Sequence, residues 1–127
     1  MDLMLSGQGV IVTGAGSNIG RAIALAFATR GVDVHDGDPS AFPGERVAGE
    51  ARSGGAAQAI GCPTDVTDID SVTAMVAAVE AAFGRIDVLV NNVGWTVDRL
   101  FLEKPRHEWE REIQLNLWSN INCTRAV

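Results

Sequence analysis

The sequence predicts an α/β fold in three layers, in which helices cover both faces of a doubly wound parallel sheet truncated after about four strands. Short apolar runs alternate with stretches of helical periodicity, as expected of parallel strands joined by crossover helices. A glycine-rich turn joins the first apolar run to the first helical stretch. The chain of 127 residues has the length of one domain and contains no repeat or linker. We therefore expect the order β-α-β-α-β-α-β-α in a single domain.

The first half of the chain predicts two strands and two helices. GVIVTG, residues 9–14, is short and apolar, as a buried strand requires. Apolar residues at helical spacing over residues 19–29, followed by Gly31, predict the first helix. VDVHD, residues 32–36, predicts a short and unusually polar second strand. A weak helical pattern over residues 45–52, ended by a Gly-Gly pair, predicts the second helix.

The next two elements are a strand and a well-delimited helix. Residues 57–60 predict the third strand, and a helical pattern follows over residues 68–83. Thr67 and Asp70 resemble a capping box at the start of this helix, and Gly84 ends it.

The last two elements are a clear strand and a long helix. IDVLVNNVG, residues 86–94, is the clearest strand pattern in the sequence, and residues 105–127 predict the helix. One apolar stripe of this helix contains Trp109, Ile113, Leu117 and Ile121. We expect its large side chains, with Trp118, in the core or at a subunit interface. The chain stops inside the helix without a cap.

Composition and charge exclude several classes of function. The chain carries 16 acidic and 10 basic side chains, a formal net charge of −6, and no basic cluster that could neutralise a run of phosphates. We therefore expect no nucleic-acid partner. Cys62 and Cys123 lack the spacing of a metal or redox motif, and no apolar run is long enough to span a membrane. The N-terminus has no signal-peptide features, so we expect a cytoplasmic protein.

The glycine-rich turn predicts a phosphate site. Gly14, Gly16 and Gly20 let the backbone turn sharply and approach a ligand, while the N-terminus of the following helix favours an anion. The glycine spacing is one residue longer than the common dinucleotide fingerprint, and no Lys-Ser/Thr pair follows as in a Walker-type loop. A tight turn without a ligand is the alternative.

Four motifs together resemble the short-chain dehydrogenase/reductase family, whose members have a Rossmann-like fold. TGAGSNIG at residues 13–20 is similar to the family's glycine motif, and DVTD at 65–68, NNVG at 91–94 and Asn116 follow in family order. The resemblance covers residues 1–127, which correspond to the N-terminal, cofactor-binding half of a usual member. It implies hydride transfer between a nicotinamide cofactor and an alcohol or carbonyl substrate.

The resemblance places the cofactor pyrophosphate at the glycine-rich turn. The residues expected there are Thr13, Gly14, Gly16, Ser17, Asn18, Ile19 and Gly20. Asn18 replaces the middle glycine of the family motif, and Asn is the residue after glycine that best tolerates a left-handed backbone. Ile19 is expected beside the nicotinamide.

An acidic residue after the second strand would determine whether the site prefers NAD or NADP. Family members hold the adenosine ribose with a carboxylate here, and Asp38 or Asp36 occupies this place. A carboxylate would repel a 2′-phosphate, so NAD is favoured over NADP. The alternative is that His35, Asp36 and Asp38 only solvate a turn. We expect no metal there, since no further ligands lie nearby.

The two later motifs imply further cofactor contacts. By resemblance, Asp65 and Val66 contact the adenine, Asn91 faces a ribose, and Val93 and Gly94 line the cofactor. Asp65 could instead cap the next helix, and Asn91 could tie neighbouring strands together by hydrogen bonds.

The resemblance assigns one residue of the family's catalytic set to this chain. Asn116 matches the Asn whose side chain, in relatives, helps to hold a water linked to the catalytic lysine. The family's serine, tyrosine and lysine have no counterpart: the chain has no tyrosine, and its sole lysine, Lys104, lies outside any Y-x-x-x-K context. We therefore expect this chain to be inactive alone. Trp95 is expected at the edge of the substrate pocket or in the core.

Three interpretations follow: a fragment of an NAD-dependent dehydrogenase, a dinucleotide-binding module without chemistry, or a structural protein that associates through exposed faces. We favour the fragment. An unpaired strand edge and uncovered helix faces would make it a homo-oligomer. The substrate remains open.

Overall fold

Four parallel strands form the sheet of this protein, which a computed structural model describes over residues 4–16, 18–28, 33–36 and 41–127. The strands are β1 (Gly9–Val12), β2 (Asp33–Asp36), β3 (Ala59–Gly61) and β4 (Val88–Val90). Their order across the sheet is β3-β2-β1-β4. The parallel sheet predicted from the alternating pattern is therefore confirmed, with β1 at its centre.

The first three helices occur in the predicted order, but two α-helices joined by a π-helical turn replace the single helix predicted over residues 105–127. The helices are α1 (Asn18–Ala28), α2 (Ala41–Gly54), α3 (Ile69–Phe83), α4 (Arg106–Ile113) and α5 (Ser119–Ala126). A 3₁₀ turn (Phe101–Glu103) precedes α4, and a π-helical turn (Gln114–Trp118) joins α4 to α5. Among the residues that the structure describes, no helix is both long enough and apolar enough to cross a membrane.

Helices cover both faces of β1, whose side chains are completely buried. Val10 and Val12 pack with Ala24 of α1 and Val47 of α2 on one face. On the other face, Ile11 belongs to a cluster that also contains α3 and α5 side chains. This alternation along one strand confirms the three-layer architecture.

Helix α2 is longer than the weak pattern over residues 45–52 predicted. It begins at Ala41 and ends at Gly54, with Pro43 in its first turn. A proline is tolerated there because the first helical N–H groups have no partner within the helix. Ala48 and Ala51 pack against Ala28 and Ala59. These small side chains let α2 lie close to α1 and β3.

The start of α3 differs by one residue from the predicted capping box. Asp68 is the N-cap, and its Oδ1 accepts a hydrogen bond from the Asp70 N–H at 3.1 Å. The Thr67 hydroxyl instead donates to Asp65 Oδ1 at 2.7 Å, so the pairing of Thr67 with Asp70 was wrong. Gly84 ends the helix with φ of 74°, as predicted.

The apolar stripe of the last helix faces away from the core. Ile113, Leu117 and Ile121 are 48%, 53% and 42% exposed, whereas Ser119 and Cys123 are buried. The expectation of a core position for Leu117 and for Trp118, which is 46% exposed, was therefore wrong. Helical periodicity identifies an apolar side, but here the small residues of α5 are the ones that fit against the rest of the fold.

Candidate functional site

Two of the predicted motifs lie at the carboxyl end of the sheet, beside β1 and β4. The chain leaves β1 toward β2 on one side, while β4 pairs with β1 on the other. A crevice opens at such a reversal of strand order, and ligands of open α/β sheets bind there. The glycine-rich turn follows β1, and residues 91–94 follow β4, so both motifs line this crevice.

Thr13 joins these two segments through a buried hydroxyl. The Thr13 side chain is 1% exposed, and its Oγ1 accepts from the N–H of Asn92 at 3.0 Å and of Val93 at 3.3 Å. The Thr13 N–H donates to the Val90 carbonyl at 3.0 Å. Thr13 therefore holds the start of the glycine-rich turn next to the segment that follows β4.

Asn92, which sequence reasoning left out of the site, makes the second connection. Its Nδ2 donates to the carbonyl of Thr13 at 3.0 Å and to that of Gly14 at 3.2 Å. The amide thus holds the start of the glycine-rich turn against β4. Two consecutive asparagines after an apolar strand were the available signal, but the sequence pattern does not say which carbonyls they reach.

Close packing of the protein on itself requires glycine at position 20 of the turn. A Cβ on Gly20 would lie 2.3 Å from the Gly14 carbonyl oxygen and 2.5 Å from Asn92 Nδ2. Gly14 has φ of 65°. The Gly16 carbonyl accepts from Arg46 Nη2 on α2 at 3.3 Å. The turn is thereby held on two sides, by β4 and by α2.

The N-terminus of α1 lies at the carboxyl end of the sheet, because α1 follows β1 and the glycine-rich turn. Asn18 begins the helix with φ of 48°, the left-handed conformation predicted for this replacement of a glycine. The first turn of α1 carries no acidic side chain, and Ile19 is 72% exposed. An anion would therefore meet backbone donors and the positive end of the helix dipole. Ser17 lies outside the described residues.

Asp36 ends β2 at the same edge of the sheet. In register it lies opposite Val12 on β1 and Gly61 on β3. Its backbone is thus beside the glycine-rich turn, as a ribose contact requires. Asp38 lies outside the described residues, so the choice between the two carboxylates stays open.

Asp65 and Val66 both have structural roles after β3. Asp65 Oδ1 accepts from the N–H and the hydroxyl of Thr67, at 2.9 and 2.7 Å. This carboxylate orders the turn that leads into α3 and is not the helix cap. The Val66 side chain is 3% exposed and packs in the core with Ile11 and Met75. The predicted contact of Val66 with an adenine face stays a prediction.

Asn91 and Gly94 make contacts within the protein. Asn91 Nδ2 donates to Thr124 Oγ1 on α5 at 3.1 Å, which ties the end of β4 to that helix. A Cβ on Gly94 would lie 3.1 Å from Asn116 Oδ1. Val93 is half-buried and packs against the core on the α3 side. Asn116 is therefore the residue that approaches Gly94 closely.

Asn116 lies in the π-helical turn and uses its side chain to hold Trp95. Its Oδ1 accepts from the Trp95 N–H at 3.0 Å, and its Nδ2 donates to the Trp95 carbonyl at 2.6 Å. Nδ2 also donates to the Glu112 carbonyl at 2.9 Å. Both amide protons are thus bonded within the protein, and the side chain fixes the backbone beside Gly94.

Comparisons with known proteins match the chain over nearly its whole length. The short chain dehydrogenase family matches residues 8–127. A 3-oxoacyl-[acyl-carrier-protein] reductase of Synechocystis sp. is 38% identical over 97% of this chain and 50% of its own length. An NAD+-bound xylitol dehydrogenase has a TM-score of 0.92 at 31% identity, over 97% of this chain and 47% of that one. A 7α-hydroxysteroid dehydrogenase complexed with NADH and 7-oxo glycochenodeoxycholic acid has a TM-score of 0.90 at 33% identity. The match covers 97% of this chain and 48% of that one. The chain thus spans about half the length of the relatives it matches.

Proposed function

The chain belongs to the short-chain dehydrogenase family, and we propose that residues 1–127 form the cofactor-binding, N-terminal half of an oxidoreductase. The whole enzyme would transfer hydride between a nicotinamide dinucleotide and an alcohol or carbonyl substrate. One observation carries the proposal: the glycine-rich turn and the N-terminus of α1 lie at the carboxyl end of the sheet, beside β1 and β4. Rigid backbone donors at that place suit a pyrophosphate.

NAD is the cofactor that we propose, in preference to NADP. Asp36 ends β2 beside the glycine-rich turn, where its carboxylate or that of Asp38 would accept hydrogen bonds from the ribose hydroxyls. The guanidinium of Arg46, which reaches the turn, also donates to Glu50 Oε1 at 2.6 Å. Arg21 pairs with the other oxygen of Glu50. Because Glu50 is engaged by both guanidiniums, the positive charge beside the turn is partly neutralised.

Catalysis by this chain alone is not expected. The chain contains no tyrosine, and its single lysine, Lys104, pairs with Glu112 at 2.5 Å. Asn116 is the one residue that we assign to the family's catalytic set, and it acts by fixing the backbone of Trp95. We expect the isolated chain to bind cofactor without reducing or oxidising a substrate.

Calorimetric titration of this chain with NAD, and with NADP as the matched control, tests the proposal. We expect heat with NAD at micromolar concentrations and a weaker response to NADP. The variants Asp36→Asn and Asp38→Asn show which carboxylate contacts the ribose. The variant that removes the contacting carboxylate should lose its preference for NAD, and the other should keep it. No heat with either dinucleotide would contradict the proposal for this chain.

We also propose that the chain is a homo-oligomer. The exposed stripe of Ile113, Leu117 and Ile121 is a large apolar surface on an otherwise acidic protein. β4 is an edge strand in the sheet of the described residues, which leaves a second surface for pairing. A cytoplasmic location is proposed on the composition and on the two free cysteines, Cys62 and Cys123.

A further inference from the structure

The loop of residues 95–104, called here the wall loop, is joined to α4 at both of its ends by the carboxylate of Glu112, in addition to the ion pair of Arg99 with Glu108. Glu112 Oε1 accepts from the Val97 N–H at 2.8 Å, from Thr96 Oγ1 at 2.9 Å and from Lys104 Nζ at 2.5 Å. One oxygen therefore binds the beginning and the end of the wall loop. No motif in the sequence pointed to Glu112.

The pair formed by Glu112 and Lys104 is shielded from water. The Lys104 and Glu112 side chains are 6% and 13% exposed, and Lys104 Nζ also lies 4.5 Å above the ring of Trp109. The hydrogen bond from Lys104, followed by that from the Val97 N–H, lowers the pKa of Glu112 to about 2. The carboxylate therefore stays charged at neutral pH, and removal of either partner would leave the other charge poorly solvated.

Asn116, four residues later, holds the same loop at its first residue. Its amide brackets the N–H and carbonyl of Trp95, and its Nδ2 also donates to the Glu112 carbonyl. Side chains four residues apart share one helix face. Glu112 and Asn116 thus form a two-point clamp on the consecutive loop residues Trp95, Thr96 and Val97.

The clamp fixes the residue that directly follows the segment after β4. Trp95 comes next after Gly94 in the chain. Its ring is half-buried, and the guanidinium carbon of Arg111 lies 4.5 Å from the ring centroid. The backbone of Trp95 is held by Asn116, and the next two residues are held by Glu112. The position of the indole therefore depends on both members of the clamp.

We propose that Glu112 is a positioning residue for the substrate side of the site, acting through the wall loop and Trp95. The clamp makes the wall loop a fixed wall of the pocket, so that Trp95 is already in place before cofactor or substrate binds. This role rests on the proposed dehydrogenase function, in which the substrate lies beside Gly94 and Trp95. The existence of the clamp can be tested without that function.

Acrylamide quenching of Trp95 fluorescence measures whether the indole is held. In a background of Trp109→Phe and Trp118→Phe, Trp95 is the only fluorophore. We expect Glu112→Ala to raise the quenching constant at least about twofold, because the freed loop opens locally. Glu112→Gln keeps an oxygen for Val97 and Thr96 but leaves Lys104 without its counter-charge, so its quenching constant should lie between those of the wild type and Glu112→Ala. Glu110→Gln, which alters an exposed ion pair on the same helix, is the matched control.

A double variant separates positioning from stability. Lys104→Met with Glu112→Met replaces the shielded charges by an apolar pair, which is often neutral or stabilising for a fold. Because Thr96 and Val97 would still lack their acceptor, we expect a stable chain in which Trp95 is quenched as in Glu112→Ala. A quenching constant equal to that of the wild type in this double variant would overturn the proposal. The double variant therefore tests the clamp even if Glu112→Ala fails to fold.

NAD titration of the same variants distinguishes this inference from the function on which it rests. If wild-type chain binds NAD, we expect the double variant to bind more weakly, because Gly94 adjoins the released segment. If the wild type gives no heat with NAD, the proposed function fails, while the quenching result still supports or overturns the clamp.

Discussion

At the scale of single residues, the glycines of the site serve contacts inside the protein. Gly20 lies against the carbonyl of Gly14 and the amide of Asn92, and Gly94 lies against the amide of Asn116. A side chain at either position would displace a hydrogen-bonding group that shapes the crevice. The glycine pattern therefore reports how closely β1, β4 and α1 approach, and a phosphate would use the backbone donors that this packing leaves free.

Gly20→Ala should be strongly destabilising and should abolish NAD binding. Its Cβ would come within 2.3 Å of backbone, which cannot move without breaking the hydrogen bonds of Asn92. We expect a loss of about 3 kcal/mol in the free energy of unfolding, measured by urea denaturation. Gly54→Ala is the control, because no atom lies within 4 Å of its added Cβ. It should be neutral or slightly stabilising. Equal stability of Gly20→Ala and wild type would refute the packing argument.

At the scale of elements, the helix ends and the helix faces depend on neighbours that the local pattern does not reveal. The α3 cap is Asp68 because Thr67 is engaged by Asp65 in the preceding turn. Between α4 and α5, the helix changes to π-helical hydrogen bonding around Asn116, whose side chain reaches Trp95. A π-helical segment inside an α-helix often marks a functional position, and here it carries the one residue assigned to the catalytic set.

The connection between the wall loop and α4 should make stability depend on pH in the acid range. The pKa of Glu112 is lowered from 4.5 to about 2 in the folded chain. The stabilisation is thus complete above about pH 4.5 and is lost as the pH falls toward 2. We expect the wild-type free energy of unfolding to fall more steeply than that of Glu112→Gln between these values. Urea denaturation at several pH values measures both slopes, and parallel slopes would show that the carboxylate is not selectively stabilised.

At the scale of the whole molecule, the order β3-β2-β1-β4 explains why the site and the apolar stripe occur where they do. The reversal of strand order beside β1 opens the crevice. α5 turns its small residues toward α3 and the sheet, which leaves Ile113, Leu117 and Ile121 on the opposite side. The chain therefore presents a polar crevice and an apolar helix face as separate surfaces.

Substitution of Leu117 and Ile121 by Glu should abolish self-association. Both side chains are about half exposed in the single chain, so the charges should be tolerated without unfolding it. Sedimentation velocity should show oligomers for the wild type and monomers for the double variant. As a control, Ile69→Glu alters another exposed apolar side chain, on α3, and should leave the association unchanged. A monomeric wild type would contradict the proposal of a homo-oligomer.

The fold class, the order of the elements and the family could be predicted from the amino-acid sequence, because they depend on local patterns. Apolar runs and helical spacing arise from the period of each element, and the glycine motif with Asn18 reflects backbone conformation at single positions. The hydrogen-bond partners of the polar side chains are visible only in the tertiary structure. Asn92 bonds to the glycine-rich turn, Asn116 bonds to Trp95, and Glu112 bonds to the wall loop. Tertiary structure also decided which side of α5 is buried. These contacts join residues far apart in the chain, and their distances follow from packing, which local sequence patterns do not encode.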